Sequence, residues 1–179
     1  MSTTLSVAAI FLTTVLLVSC STAPTTTTAK DDLTQKAMAE REEWNKLDPG
    51  LEALAKKSEG YAFFPEIIKG GLGVGGAYGR GVVYEQNQPI GYADVTQGSV
   101  GLQAGGQTYS ELIVFENKTA MDRFKKNQID FGANASAIIA KTCAANARFV
   151  DGVAVFVRPT AGAMAEAAIG GQRVTYVPK

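Results

Sequence analysis

Between Gly70 and Gly81 the chain carries seven glycines, and Gly71, Gly73 and Gly75 fall at alternate positions. In a β-strand, alternate residues share one side. That spacing predicts a strand with one side stripped of side chains. Such a side permits strong curvature, close approach of another backbone, or a ligand surface. The run Gly71-Leu72-Gly73-Val74-Gly75-Gly76 also matches G-x-G-x-x-G. A dinucleotide site would need a helix opening at Gly76, with its dipole aimed at the pyrophosphate. The residues that follow, Ala77 to Tyr84, read as extended and glycine-broken, so pleated backbone is expected instead.

Composition removes several chemistries. The chain has 179 residues and no histidine. Ser-His-Asp and Cys-His nucleophile systems, His-based metal sites and the H-R-D motif of kinases are therefore excluded. Gln97-Gly98-Ser99-Val100-Gly101 resembles a nucleophile elbow, but it has Gln in place of the first glycine and no histidine partner. The cysteines Cys20 and Cys143 cannot build a zinc site by themselves, and Cys143 reads as a small buried thiol. Seventeen Lys and Arg balance seventeen Asp and Glu, so no net positive field favours nucleic acid. No cofactor is implied. Asp94, Glu111 and Asp151 show no pairing motif of the kind an enzyme would need.

The N-terminus reads as an address followed by an anchor. Leu5 to Val18 is apolar, too short to span a bilayer but suited to a signal-peptide core. It ends Leu17-Val18-Ser19-Cys20, which resembles the lipobox of bacterial lipoproteins. In that class the Cys thiol takes a diacylglycerol and, after cleavage, the new amino group takes a fatty acyl group such as palmitate. Two or three chains hold stably where one holds marginally. Ser21 resembles the outer-membrane sorting choice. Residues 1–10 lack the Lys or Arg usual in signal peptides. The expected organisation is a signal peptide over 1–19, a lipidated Cys20 with a Thr-rich tether over 20–29, and one domain over 30–179.

Two helices are expected next. The first covers Lys30 to Asn45, with Asp31 and Asp32 favouring its N-terminus and Leu33, Ala37 and Trp44 on one face. The second has Asp48 as N-cap, Pro49 at its first position, Leu51, Leu54 and Ala55 as the buried stripe, Lys56 and Lys57 in the last turn, and Gly60 as a left-handed C-cap. Tyr61 to Phe64 reads as a short aromatic strand stopped by Pro65. About seven strands in all are expected, with a short helix from Asn117 or Thr119 to about Asn127 and a hairpin turn at Gly170-Gly171. Lys118, Arg123, Lys125 and Lys126 make that helix locally basic. The fold class is α+β: two N-terminal helices, then a glycine-rich, mostly antiparallel sheet or barrel with one inserted short helix.

Several ordered motifs resemble the SYLF domain family. Gly60-Tyr61-Ala62-Phe63-Phe64-Pro65 resembles its G-Y-A-x-F-P signature. Lys69 to Gly76, followed by Gly79-Arg80-Gly81, resembles its glycine-rich segment. Gly98-Ser99-Val100-Gly101-Leu102-Gln103-Ala104-Gly105 resembles its G-S-x-G-x-Q-x-G segment, and Gly162 to Gly171 its closing hairpin. Together they run from about Leu47 to Tyr176. The family is described as lipid-binding, its eukaryotic members binding phosphoinositides and its yeast members also actin. The resemblance implies phospholipid binding without catalysis. The lipobox and the lack of SH3 or FYVE partner domains resemble a bacterial lipoprotein branch, so actin binding is not carried over. Glu166 departs from the glycine that eukaryotic members tend to have there.

The expected function is that of a noncatalytic binder of anionic or phosphoinositide-like phospholipid headgroups, anchored to the outer membrane and facing the periplasm. Lys56, Lys57, Lys69 and Arg80 are the candidate headgroup contacts, each contributing about 1 kcal/mol near an anionic surface. Phe63 and Phe64 are candidates for apolar contact with lipid, or else core. The rival expectation is a structural or envelope-stress lipoprotein that binds protein or itself through the glycine-rich sheet.

Overall fold

The computed structural model describes residues 24–129, 138–139 and 147–179, with backbone alone at 138–139 and 163–170. The signal segment, Cys20, the start of the tether and Cys143 lie outside the described residues. Two helices, α1 (Thr27–Leu47) and α2 (Pro49–Lys57), precede two long strands, β1 (Gly60–Glu85) and β2 (Gln88–Phe115). A short helix α3 (Lys118–Lys125), a two-residue strand β3 (Ile138–Ile139) and a third long strand β4 (Val153–Pro178) follow. The class is the expected α+β.

Helix α1 starts three residues earlier than expected. Thr26 is the N-cap, its hydroxyl accepting from the Ala29 N–H at 3.3 Å, so Asp31 and Asp32 fall beyond the first turn. Leu33, Ala37 and Trp44 are its buried face, as the spacing predicts. Helix α2 follows its punctuation: the Asp48 carboxylate accepts from the Gly50 N–H at 2.9 Å, and Pro49 occupies the first turn. Gly60 is not its C-cap. The helix closes at extended Ser58, and Gly60 opens β1, where a Cβ would lie 2.6 Å from the Tyr84 carbonyl oxygen.

The sheet order is β1-β2-β4-β3, antiparallel except for β3 beside β4. Three strands of 26 or 28 residues replace most of the seven short ones expected. Pro65 does not stop β1; it sits in an irregularity between Phe64 and Ile67, where a missing N–H is tolerated. Gly170 and Gly171 form no turn but pair within the ladder with Ser99 and Gly98. The two-residue hairpin instead lies at Gln86-Asn87, with φ of 48° and 64°, the signs a type I′ turn demands.

Strands this long fold over on themselves. A Cβ on Gly71 would sit 2.5 Å from the Gly75 Cα, so β1 doubles back within five residues. Gly73, at φ +72°, occupies the apex, a conformation that side-chain-bearing residues rarely adopt. It also breaks the period-two alignment expected of Gly71, Gly73 and Gly75. One β1 residue spans the gap between Leu72 and Val74, whereas three β2 residues span the facing gap between Ala104 and Val100. β1 is therefore the inside track of the bend. Its halves then meet along a seam: Cβ atoms on Gly79 and Gly81 would lie 2.7 and 2.8 Å from the carbonyl oxygens of Glu66 and Phe63. The sheet coils without closing into a barrel.

The coil encloses one core and the helices cover another. Inside lie Phe64, Ile67, Val83, Val95, Ile113 and Phe115, sealed at the end far from the bend by Met121 and Phe124 of α3. Outside, Trp44 and Leu51 pack on Phe63, Leu112, Val114 and Phe156. A polar network fixes α1 to the sheet. Ser110 Oγ accepts from Trp44 Nε1 at 2.7 Å and donates to Glu40 Oε1 at 2.6 Å. Arg158 donates to the same carboxylate oxygen through Nε at 2.9 Å and through Nη2.

Candidate functional site

The bend is where sequence, geometry and surface chemistry converge. On its inner side the Gln103 amide is held by the Ser99 hydroxyl, which donates to Oε1 at 2.8 Å. Gln103 Nε2 donates to the carbonyls of Ser99 and Gly73 at 3.0 and 3.3 Å. The amide is thus satisfied on both ends while buried, the condition under which a polar group is tolerated in an interior. Ser99 serves this clamp, so the elbow-like motif is structural.

On the outer side the bend presents apolar residues to solvent. Leu72 and Leu102 are each 83% exposed, Val74 68% and Val100 66%. Val74 is the register partner of Val100, and Leu72 of Ala104. Ile68, on the same side of β1, is 62% exposed. No Asp, Glu, Lys or Arg occurs in residues 70–79 or 95–110. The exposed Leu and Val side chains of the bend thus lie in two stretches of chain without a charged residue. The alternation of Leu and Val with glycine carried this information in the sequence, but glycine drew attention to the side lacking side chains rather than to the opposite one.

Beside the bend, a cleft of about 290 Å3 lies between the start of α1 and the β1 seam. Its apolar lining includes Pro24, Leu33, Pro65 and Ile68, and its polar lining Asp32, Lys36, Glu66, Tyr78 and Arg80. Arg80 Nε donates to the Tyr78 hydroxyl at 2.7 Å, and the guanidinium sits 5.8 Å from that ring. Lys36 and Glu66 are 4.0 Å apart, both more than half exposed.

The expected site residues are not brought together. Lys56 and Lys57 end α2, where the Asn87 side chain donates to the Lys56 carbonyl. They therefore sit at the hairpin end of the sheet. Arg80 is five strand residues from Glu85, roughly 17 Å away. Lys56 pairs with Glu52 at 3.3 Å. Lys69 is only 7% exposed, and Arg80 alone of the four lines the cleft. Phe63 and Phe64 are 1% and 0% exposed. They belong to the two cores and not to a membrane-facing surface, because β1 is covered by helices on one face and by its own coil on the other. On α3, Lys118 pairs with Asp122 and Lys125 with Glu85.

Two of the carboxylates singled out in the sequence, Glu111 and Asp94, are buried. Glu111 faces the coil interior, 2% exposed, and accepts from Gln172 Nε2 at 2.6 Å. Burial pushes its carboxyl up to about 7, against the partial opposition of that hydrogen bond. Asp94 lies between the interior residues Ala93 and Val95 and so projects from the opposite face. Among the described residues, no three His, Cys, Asp or Glu come together to hold a metal. No helix begins at Gly76, which lies within β1. The anion-cradling turn of a dinucleotide site is therefore absent there.

Comparison with known families agrees with the sequence motifs. A family model described as Ysc84, Las17-binding protein actin regulator, matches residues 96–176. These residues comprise most of β2 and β4 and the segment between them. No curated protein matches the chain. Over residues 96–176 the chain is therefore similar to the SYLF domain family, described as lipid-binding and actin-regulating.

Proposed function

We propose that the protein is a noncatalytic phospholipid-binding lipoprotein of the bacterial envelope, and that the outer side of the bend is its membrane contact. The observation that carries this reading is the charge-free surface of Leu72, Val74, Val100 and Leu102. Fully burying one such side chain contributes roughly 1.5–3 kcal/mol, so even partial insertion of four is substantial. Glycine between them lets the sheet curve tightly enough to present a narrow edge rather than a broad face. The expected anionic preference rested on four basic residues acting together; their separation leaves apolar insertion as the principal term. The N-terminus supports the same orientation. Pro24 lines the cleft beside the bend, and Cys20 is four residues upstream, within about 14 Å at full extension. An acyl group on Cys20 and the apolar edge would then engage one membrane, the outer membrane, from its periplasmic side.

Vesicle flotation of the full chain carrying Cys20→Ala tests the contact without an acyl anchor. Adding Leu72→Asp and Leu102→Asp should weaken binding at least tenfold, since a carboxylate cannot enter the apolar layer ionised. Undiminished binding overturns the reading. If the same pair of changes instead dissociates a dimer in sedimentation while vesicles bind neither form, the surface is a self-association interface. Incorporation of labelled palmitate that Cys20→Ala abolishes is the expected result for the anchor.

A further inference from the structure

We propose that the cleft beside the bend binds a zwitterionic headgroup of phosphoethanolamine type. Arg80 would face the phosphate, and Asp32 and Glu66 the ammonium. This inference rests on the reading of the protein as a phospholipid binder and names the class of lipid. The charges lining the cleft are two basic, Lys36 and Arg80, and two acidic, Asp32 and Glu66. Asp94, the register partner of Arg80, adds a further carboxylate close by. A purely anionic headgroup would be attracted by the first pair and repelled by the carboxylates. A zwitterion finds a complement for each of its ends.

The side chains are arranged for exchange with such a ligand. Arg80 Nε donates to the Tyr78 hydroxyl, and a guanidinium has five N–H donors in a fixed fork, well suited to phosphate oxygens. The Lys36–Glu66 contact is long and exposed, and a pair of that kind contributes little, so Glu66 can turn to a ligand ammonium at small cost. A volume of about 290 Å3 lies at the lower limit of small-molecule sites, enough for a headgroup and not for acyl chains. Those have a path. Ile68 lines the cleft and precedes Leu72 by four strand residues, roughly 13 Å, so an apolar track leads from the cleft to the membrane-facing edge.

The test uses the full chain with Cys20→Ala and vesicles of one acyl composition. The vesicles carry either phosphatidylethanolamine or phosphatidylglycerol in an uncharged glycolipid matrix. Binding is expected to be about tenfold tighter to phosphatidylethanolamine, the worth of one charge-assisted hydrogen bond. Asp32→Lys with Glu66→Lys should invert the order, while Leu72→Asp with Leu102→Asp should weaken both. Equal binding, or a preference for phosphatidylglycerol, overturns the headgroup assignment and leaves phospholipid binding standing. No binding to either vesicle overturns the phospholipid reading itself. Soluble glycerophosphoethanolamine bound as tightly as the vesicles would overturn the lipid source, because the acyl track would then contribute nothing.

Discussion

The side-chain amide of Gln103 occupies the space that a Cβ on Gly75 would enter, with Oε1 2.6 Å from that position. Two residues of one motif set, on different strands, are thereby coupled: the glycine exists for the amide, and the amide ties the bend together through Ser99 and Gly73.

A ranking of glycine substitutions follows from this contact. Gly75→Ala should destabilise by about 1–3 kcal/mol, because the displaced amide leaves buried polar groups unsatisfied. Gly79→Ala and Gly81→Ala should cost more, since the obstructing atoms are backbone carbonyls of the seam that cannot swing away. Gly98→Ala, with nothing within 4 Å, should stay within about 0.5 kcal/mol of the parent. Urea unfolding followed by the fluorescence of Trp44, the single tryptophan, measures all four. Equal costs for Gly79 and Gly98 would refute the seam.

Stability should fall as pH rises through the range in which Glu111 ionises. Its carboxyl stands at about 7 in the folded chain against 4.5 ordinarily. Between those values the folded state binds more protons than the unfolded one, so unfolding free energy decreases with pH and then levels off above 7. The loss is on the order of 3 kcal/mol. Glu111→Gln keeps an acceptor for Gln172 and has nothing to ionise. It should flatten the profile between pH 4.5 and 7 and be more stable than the parent at pH 8. Denaturant midpoints across pH for both proteins check this.

Phe63 and Leu72 should separate folding from binding. Phe63 packs edge-on against Trp44, ring centroids 5.9 Å apart, and is buried; Phe63→Ala should cost about 3–5 kcal/mol. Leu72→Ala removes an exposed side chain and should alter stability by no more than about 0.5 kcal/mol while reducing vesicle binding. Thermal melts beside flotation assays distinguish the two. A destabilised Leu72→Ala would mean that the edge is packed.

Glu40 anchors α1 to the sheet through Ser110 and Arg158. Glu40→Ala should destabilise by about 2–3 kcal/mol, since it strands a guanidinium and a hydroxyl that are largely shielded from water. Glu40→Gln should cost less, because an amide oxygen still accepts. Hydrogen exchange should accelerate in α1 before the sheet. Uniform acceleration across the chain would contradict a local anchoring role.

Local chemistry made much of this protein legible. Asp48-Pro49 starts a helix wherever it occurs in such a setting, Leu33, Ala37 and Trp44 share a face through helical spacing alone, and Asn117 caps α3 by accepting from the Ala120 N–H. The ordered glycine motifs likewise carried the resemblance to the SYLF domain family, and the family model matches over residues 96–176. Strand number was not legible. Pro65 and Gly170-Gly171 are turn signals in isolation, yet a ladder of more than twenty pairs on β2 passes through both. Cooperative pairing along a neighbour outweighs a local preference of about 1 kcal/mol. The candidate site was least legible. Lys56, Lys57, Lys69 and Arg80 are near one another in sequence, but a helix end, a bend and a seam send them in different directions. Glu66 and Arg80 line one cleft because β1 folds across itself, and Asp32 and Lys36 join them because α1 packs beside that seam. Sequence determined which segments could be helical, which must be pleated, and where the backbone was free to bend. Tertiary structure alone decided which side of the bend faces water, because exposure depends on what the coil and the helices cover, and no local pattern encodes that.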